Sequence, residues 1–190
     1  RRGEILLRLA EAYVDKARIL EYRLRDNFDK KMKAYQSKKR KSRPRLNLKV
    51  SQQFNEKAIK LYEWFLRDFP KDSKVDQALF FLGYNYFELN NEKKGLYYYT
   101  KLTKEFSKSQ YVGEAYFALG EYYFENEKWG RALVNYSKVA RRKKSRLYSY
   151  ALYKTAWCQF KTAKPKKALR SLELVIKAGK RASQSKGRVS

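Results

Sequence analysis

A spacing of about 36 residues constrains this chain more than any other property. A small residue behind an apolar one or a threonine recurs at Leu9-Ala10, Leu82-Gly83, Leu119-Gly120 and Thr155-Ala156. Twelve residues further on the position is small again, at Gly95, Ala132 and Ala168, with Ala58 as its equivalent in the first unit. Four beyond that it is aromatic or apolar: Tyr62, Tyr99, Tyr136 and Leu172. A period of this length with two amphipathic segments marks stacked helical hairpins. One hairpin cannot bury its apolar face alone, so neighbours stack and share a core. Chains built this way mostly bind other molecules and seldom catalyse.

With 190 residues the chain is long enough to bury a real core. Apolar residues reach 43%, which excludes a disordered chain although 34% of residues are charged. Seventeen Tyr, eleven Phe and three Trp supply an aromatic interior. The net charge of +27 is lopsided: residues 128–190 hold 19 Lys/Arg against Glu173 alone. Such a field attracts nucleic acid, anionic lipid or polysaccharide, or an acidic protein, and it also describes a merely solvated Lys-rich surface. No apolar run approaches the ~18 residues a membrane-spanning helix needs, and no secretory signal is present. The chain opens Arg1-Arg2-Gly3 without Met and reads as part of a longer one.

The first helix is expected from Glu4 to about Tyr35, because apolar residues from Ile5, Leu6 and Leu9 through Phe28, Met32 and Tyr35 keep three-and-four spacing. Its length is roughly twice that of an ordinary hairpin arm, so its far half should project or fold over a neighbour. Residues 36–50 form a basic insertion with Pro44 against helix at its centre. A second helix follows over about 51–68 and ends at Phe69-Pro70. Helix pairs are then expected near 73–89 and 92–106, 109–126 and 129–141, and 145–162 and 165–178. Pro165 opens the last helix, Gly179 is read as its stop, and 180–190 as a basic linker or tail.

These positions resemble the tetratricopeptide repeat. Its pattern of Leu-Gly with Tyr three later, then a small residue, an aromatic and an apolar residue, falls on Leu82, Gly83, Tyr86, Gly95, Tyr99 and Leu102, and again on Leu119, Gly120, Tyr123, Ala132, Tyr136 and Val139. A fourth unit carries Ala156, Ala168, Leu172 and Val175 but departs at Gln159, where Tyr is usual. The first keeps Ala10, Tyr13, Ala58, Tyr62 and Pro70 around its insertion. The resemblance implies an all-α, right-handed α-solenoid of helix-turn-helix hairpins, the first elongated. Its units are 1–70, 71–108, 109–144 and 145–179. The segments FPKDSKVDQALFFLGYNYFE and SYALYKTAWCQF are similar to periplasmic cell-envelope proteins of this class from gliding and predatory δ-proteobacteria. That likeness implies a periplasmic or outer-membrane-associated place in a Gram-negative bacterium, with the cytoplasm as alternative, and a role in motility or envelope assembly. It also implies that the chain continues past Ser190.

Tetratricopeptide geometry implies that the first helix of each hairpin lines a concave groove. That places Phe80, Tyr84, Glu88, Glu114, Glu121, Glu125, Tyr153 and Trp157 on it as the partner-binding set, aromatic with an acidic centre. Phe87, Phe117 and Phe124 are read as core. Such a groove suits a peptide or helix with apolar anchors and some positive charge. The basic patch lies elsewhere, at Lys38, Lys39, Arg40, Lys41, Arg43 and Arg45 and at Arg141, Arg142, Lys143, Lys144 and Arg146. It fits anionic lipid or polysaccharide. Nucleic acid is the less favoured partner, since no repeated polar code lines the helices. No phosphate-binding loop occurs, and a chain with no His and one Cys has no metal-ligand set or nucleophile–base pair, so no catalytic, cofactor or metal residue is assigned. Cys158, beside Trp157, is expected to be a buried structural thiol.

Overall fold

A computed structural model describes the backbone of residues 2–186 and the side chains of residues 2–180. The described residues form helices only: α1 (Arg2–Gln36), α2 (Lys49–Asp68), α3 (Val75–Glu88), α4 (Glu92–Glu105), α5 (Val112–Glu125), α6 (Trp129–Ala140), α7 (Tyr148–Lys161) and α8 (Pro165–Lys186). The chain divides into two compact units, Arg1–Tyr98 and Tyr99–Ser190, with the boundary inside α4.

In the first unit α1 packs along α2. The small residues Gly3, Ala10 and Ala17 recur every seven positions and are buried with Leu7 and Val14, so the backbones approach closely along that line. This register differs from the expected stripe. Ile5 and Leu9 are exposed (64% and 44%), because the small residues rather than the bulky ones decide which face α2 covers. Tyr13 meets Phe54 at 5.8 Å and Lys57 lies over both rings.

Beyond Ala17, α1 has no fully buried residue, yet its far half is not bare. After the turn at 37–40 the chain runs back in an extended segment where Pro44 is buried, Leu46 and Leu48 are half-buried, and Arg43, Arg45 and Asn47 face out. That in-out alternation has the period of extended backbone. The six residues 43–48 at roughly 3.3 Å span about 20 Å, comparable with the ~25 Å of the last 17 residues of α1. Leu20, Leu24, Phe28 and Met32 are half-buried along the same stretch. The insertion is therefore one side of a thin amphipathic arm, and only its tip is fully solvated.

Hairpin turns repeat in atomic detail. Asn90, Glu127 and Ala163, 37 and 36 residues apart, take left-handed φ values of 56–57°. Each is followed by an N–H that donates across the helix end to a carbonyl five residues back, at Asn91 to Tyr86, Lys128 to Tyr123 and Lys164 to Gln159, all 2.8 Å. This is the Schellman closure of a helix C-terminus. Before α3, α5 and α7, Asp72, Ser109 and Ser145 each accept from the N–H two residues on, at 2.8, 3.1 and 3.1 Å. Those side-chain turns start the helices two or three residues later than expected from the apolar pattern.

In the second unit α6 packs between α5 and α7, and α8 packs on α7. Ala132, Tyr136 and Cys158 form a core with Phe117, Tyr123, Phe124 and Leu133 against it. A Cβ on Gly120 would come within 2.6 Å of the Tyr136 ring, and one on Gly95 in the first unit within 2.6 Å of Phe87. The small landmark of the repeat is thus a seat for an aromatic ring. Gly179 does not stop α8, which continues through it to Lys186. A glycine ends a helix by turning to positive φ, and no described glycine does so. The expected helix stop at Gly179 is therefore corrected: 180–186 are helical, and residues 187–190 lie outside the described ones.

Candidate functional site

The outer side of α7 carries a row of solvent-facing rings. Tyr150, Tyr153, Trp157 and Phe160 are 48%, 40%, 41% and 60% exposed. Their spacing follows the helical period, so they fall on one side of the helix. Successive centroids are 6.4, 6.2 and 6.3 Å apart, and Phe117 of α5 extends the row at 5.2 Å from Tyr150. Lys154 lies 4.5 Å from the Phe124 ring and Lys161 5.5 Å from that of Trp129. Trp157 stands between two clefts. One is lined by Phe124, Trp129, Tyr153, Lys154 and Lys161, the other by Ala156, Phe160, Ala168 and Leu172. The second is almost wholly apolar, about 200 Å³ in volume. Beside it α8 exposes Leu169, Leu172 and Ile176, again on one helical stripe. Exposed apolar surface gathered in this way is of the kind that binding surfaces use.

Tyr153 and Trp157, two of the expected groove residues, therefore stand open to solvent. Of the other expected groove residues, all but Glu125 make contacts within the protein or are half-buried. Tyr84 and Glu88 on α3 meet the far half of α1. Burial first, then the Glu88 charge, pushes the Tyr84 phenol up to about 12. Burial and the neighbouring Glu21 carboxylate hold Glu88 above the ordinary carboxylate range, against the pull of Arg25. Gln77 of the same face donates to Glu11, and Phe80 is half-buried with its edge against Phe81. The long first helix, unusual for this repeat, covers the face that the sequence leaves open.

The acidic centre is also neutralised from within. Glu114 accepts from Arg146. Glu121 accepts from the buried Tyr136 hydroxyl and from Lys154 at 3.0 Å, and the Lys154 side chain is only 15% exposed. Glu125 alone of the three stands exposed. Burial, followed by that bond to Glu121, raises the Tyr136 phenol far above its ordinary range. The two cross-repeat pairs lie 32 and 33 residues apart, about one helical turn short of the repeat period. That offset is a signal in the sequence which spacing within one helix does not reveal. The surface left around the α7 rings is accordingly aromatic with cations, not acidic.

Of the basic residues, Lys38, Lys39, Arg40, Lys41, Arg43 and Arg45 are exposed at the arm, where Lys38 takes a left-handed φ of 57°. Arg141, Arg142, Lys143 and Lys144 are exposed in the turn after α6, while Arg146 is spent on Glu114. Cys158 is fully buried, and burial raises its thiol to about 11, so it is protonated at neutral pH and is no nucleophile.

The tetratricopeptide-repeat profile matches residues 77–109 and 150–178. No curated protein sequence matches the chain. Among solved structures, the chain is similar to the crystal structure of BtubC (BKLC) from P. vanneervenii, with a TM-score of 0.57 and 16% identity, over 97% of this chain and 93% of that one. The fold is all-α and of the α-solenoid class, and it contains tetratricopeptide repeats. Repeats of this kind are typically non-catalytic scaffolds for protein partners. No helix among the described residues is long and apolar enough to cross a membrane.

Proposed function

We propose that this protein is a non-catalytic scaffold that holds a partner polypeptide on the aromatic face of α7, within a bacterial cell-envelope complex serving motility or envelope assembly. The exposed row Tyr150–Tyr153–Trp157–Phe160 carries the first part. Burying an aromatic side chain is worth roughly 1.5–3 kcal/mol, so four rings left half in water hold a reserve of binding energy that folding has not used. The envelope setting rests on the likeness of the α3 and α7 segments to periplasmic proteins of this repeat class. The test is capture of the partner from its own cell, followed by titration of the purified partner against wild type and Tyr153→Ala/Trp157→Ala. The double variant should weaken binding at least a hundredfold, at roughly 1.4 kcal/mol per tenfold, with an unchanged helical spectrum. Binding that survives in a folded double variant contradicts the reading. Fractionation of the full-length gene product tests the compartment, and an exclusively cytoplasmic protein contradicts it.

A second reading concerns the arm. Residues 30–49 carry ten Lys/Arg and no Asp or Glu, and apart from Lys30 with Asp26 none of them is in an ion pair among the described residues. Such a tip suits an anionic surface such as lipid headgroups. Flotation with anionic vesicles, lost on neutral ones and on Lys38→Glu/Lys39→Glu/Lys41→Glu, supports it, and equal flotation on both contradicts it.

A further inference from the structure

We infer that the polypeptide taken at the α7–α8 groove is an amphipathic helix with acidic flanks, a deepening that rests on the reading of α7 as the interaction surface. The groove has a floor of small residues, Ala156 and Ala168, between two ridges. Trp157 and Phe160 stand on one side of it, on the α7 stripe that also carries Tyr153, and Leu172 on the other, on the α8 stripe that exposes Leu169 and Ile176. This is the relief into which the apolar side of a third helix packs. An extended peptide is a poorer occupant. The backbone groups of α7 and α8 are spent within their own helices, so the groove offers no edge for strand addition, and an extended chain would lay unsatisfied amides on an apolar floor. A helix brings its own amides satisfied.

Charge selects the flanks. Lys161, Lys164, Lys166, Lys167, Arg170 and Lys177 stand exposed along the two helices, and none is in an ion pair among the described residues. Glu173 is the single acid in residues 128–190. A second copy of this chain is disfavoured for the same reason, since a symmetric contact sets like charges against each other on a chain of net charge +27.

The test uses two synthetic helices of about five turns, each with Leu at i, i+3, i+7 and i+10. One is flanked by Glu and its twin by Lys, and both are titrated by fluorescence anisotropy at about 150 mM salt. The Glu peptide should bind at least roughly tenfold tighter than its twin, and the gap should narrow as salt rises. Phe160→Ser and Leu169→Glu, both at exposed positions, should each weaken it severalfold, and Lys161→Glu/Lys166→Glu, nearest the apolar ridges by helical spacing, should reverse the preference between twins. Equal binding of the twins, or Glu-peptide binding indifferent to Leu169→Glu, overturns the inference. So does a dimer in light scattering that Leu169→Glu dissociates, or a full-length gene product that no longer admits the peptide because its own segment fills the groove. A Lys twin that binds tighter and depends on Trp157 overturns the acidic flank while leaving the α7 surface intact. Failure of both peptides, with partner binding indifferent to Tyr153→Ala/Trp157→Ala, removes both readings.

Discussion

At the scale of single residues, two kinds of position depart from ordinary helix propensity. Gly120 is held by the Tyr136 ring, so Gly120→Ala should destabilise by about 1–3 kcal/mol through overpacking, although alanine is the better helix former. Gly130→Ala, with nothing within 4 Å of the added Cβ, should be neutral or slightly stabilising. Urea unfolding of both variants checks the contrast. Glu127 and Ala163 sit at left-handed φ without being glycine, so Glu127→Gly and Ala163→Gly should each stabilise by roughly 0.5–1 kcal/mol, read as a shift of the urea midpoint. Glu88 has the opposite liability. Its raised pKa means that the folded state holds this proton more tightly than the unfolded state. The stability it contributes is therefore present below the ordinary carboxylate value and is lost as pH rises through the folded value. Stability measured between about pH 4 and 7 should fall less steeply in Glu88→Gln than in wild type. A slope unchanged by the substitution would remove Glu88 from the account of this face.

At the scale of elements, legibility in the sequence follows the range of the interaction. The helices and the small landmark positions were readable because they rest on local periodicity: Gly95 and Gly120 do seat aromatic rings. The left-handed turns were not, because Glu127 and Ala163 are not residues that announce such a φ, and only the recurrence with Asn90 reveals them. The covering of Tyr84 and Glu88 by α1 was hidden for another reason. It depends on where a 35-residue helix lies in space, which its own spacing does not encode. The alternation of Arg43-Pro44-Arg45-Leu46-Asn47-Leu48 is present in the sequence, but its density of charge is equally that of a solvated loop. Inserting a charge on its inner side should detach that segment. Leu46→Asp is expected to speed tryptic cleavage after Lys41 severalfold while leaving the second unit's unfolding unchanged, and an unaltered cleavage rate would mean the segment is not held by its apolar side. The Glu121 network belongs to this scale too. Lys154→Met leaves a half-buried carboxylate without its cation, with an expected loss of about 1–3 kcal/mol in urea unfolding.

At the scale of the whole molecule, most of the acidic residues expected to face a partner are consumed by contacts inside the protein, and the excess of Lys/Arg is left at the surface. The chain thus presents an aromatic face on α7, an apolar groove between α7 and α8, and a basic arm. Only the first two have the apolar content that makes a specific polypeptide site. Hydroxyl-radical footprinting of the protein saturated with its purified partner discriminates among these surfaces at the level of side chains. The expected result is reduced modification of Tyr150, Tyr153, Trp157 and Phe160, with Tyr22 of α1, 74% exposed, modified as in the free protein. Protection of Tyr22 with the α7 rings left as reactive as before would contradict the central claim.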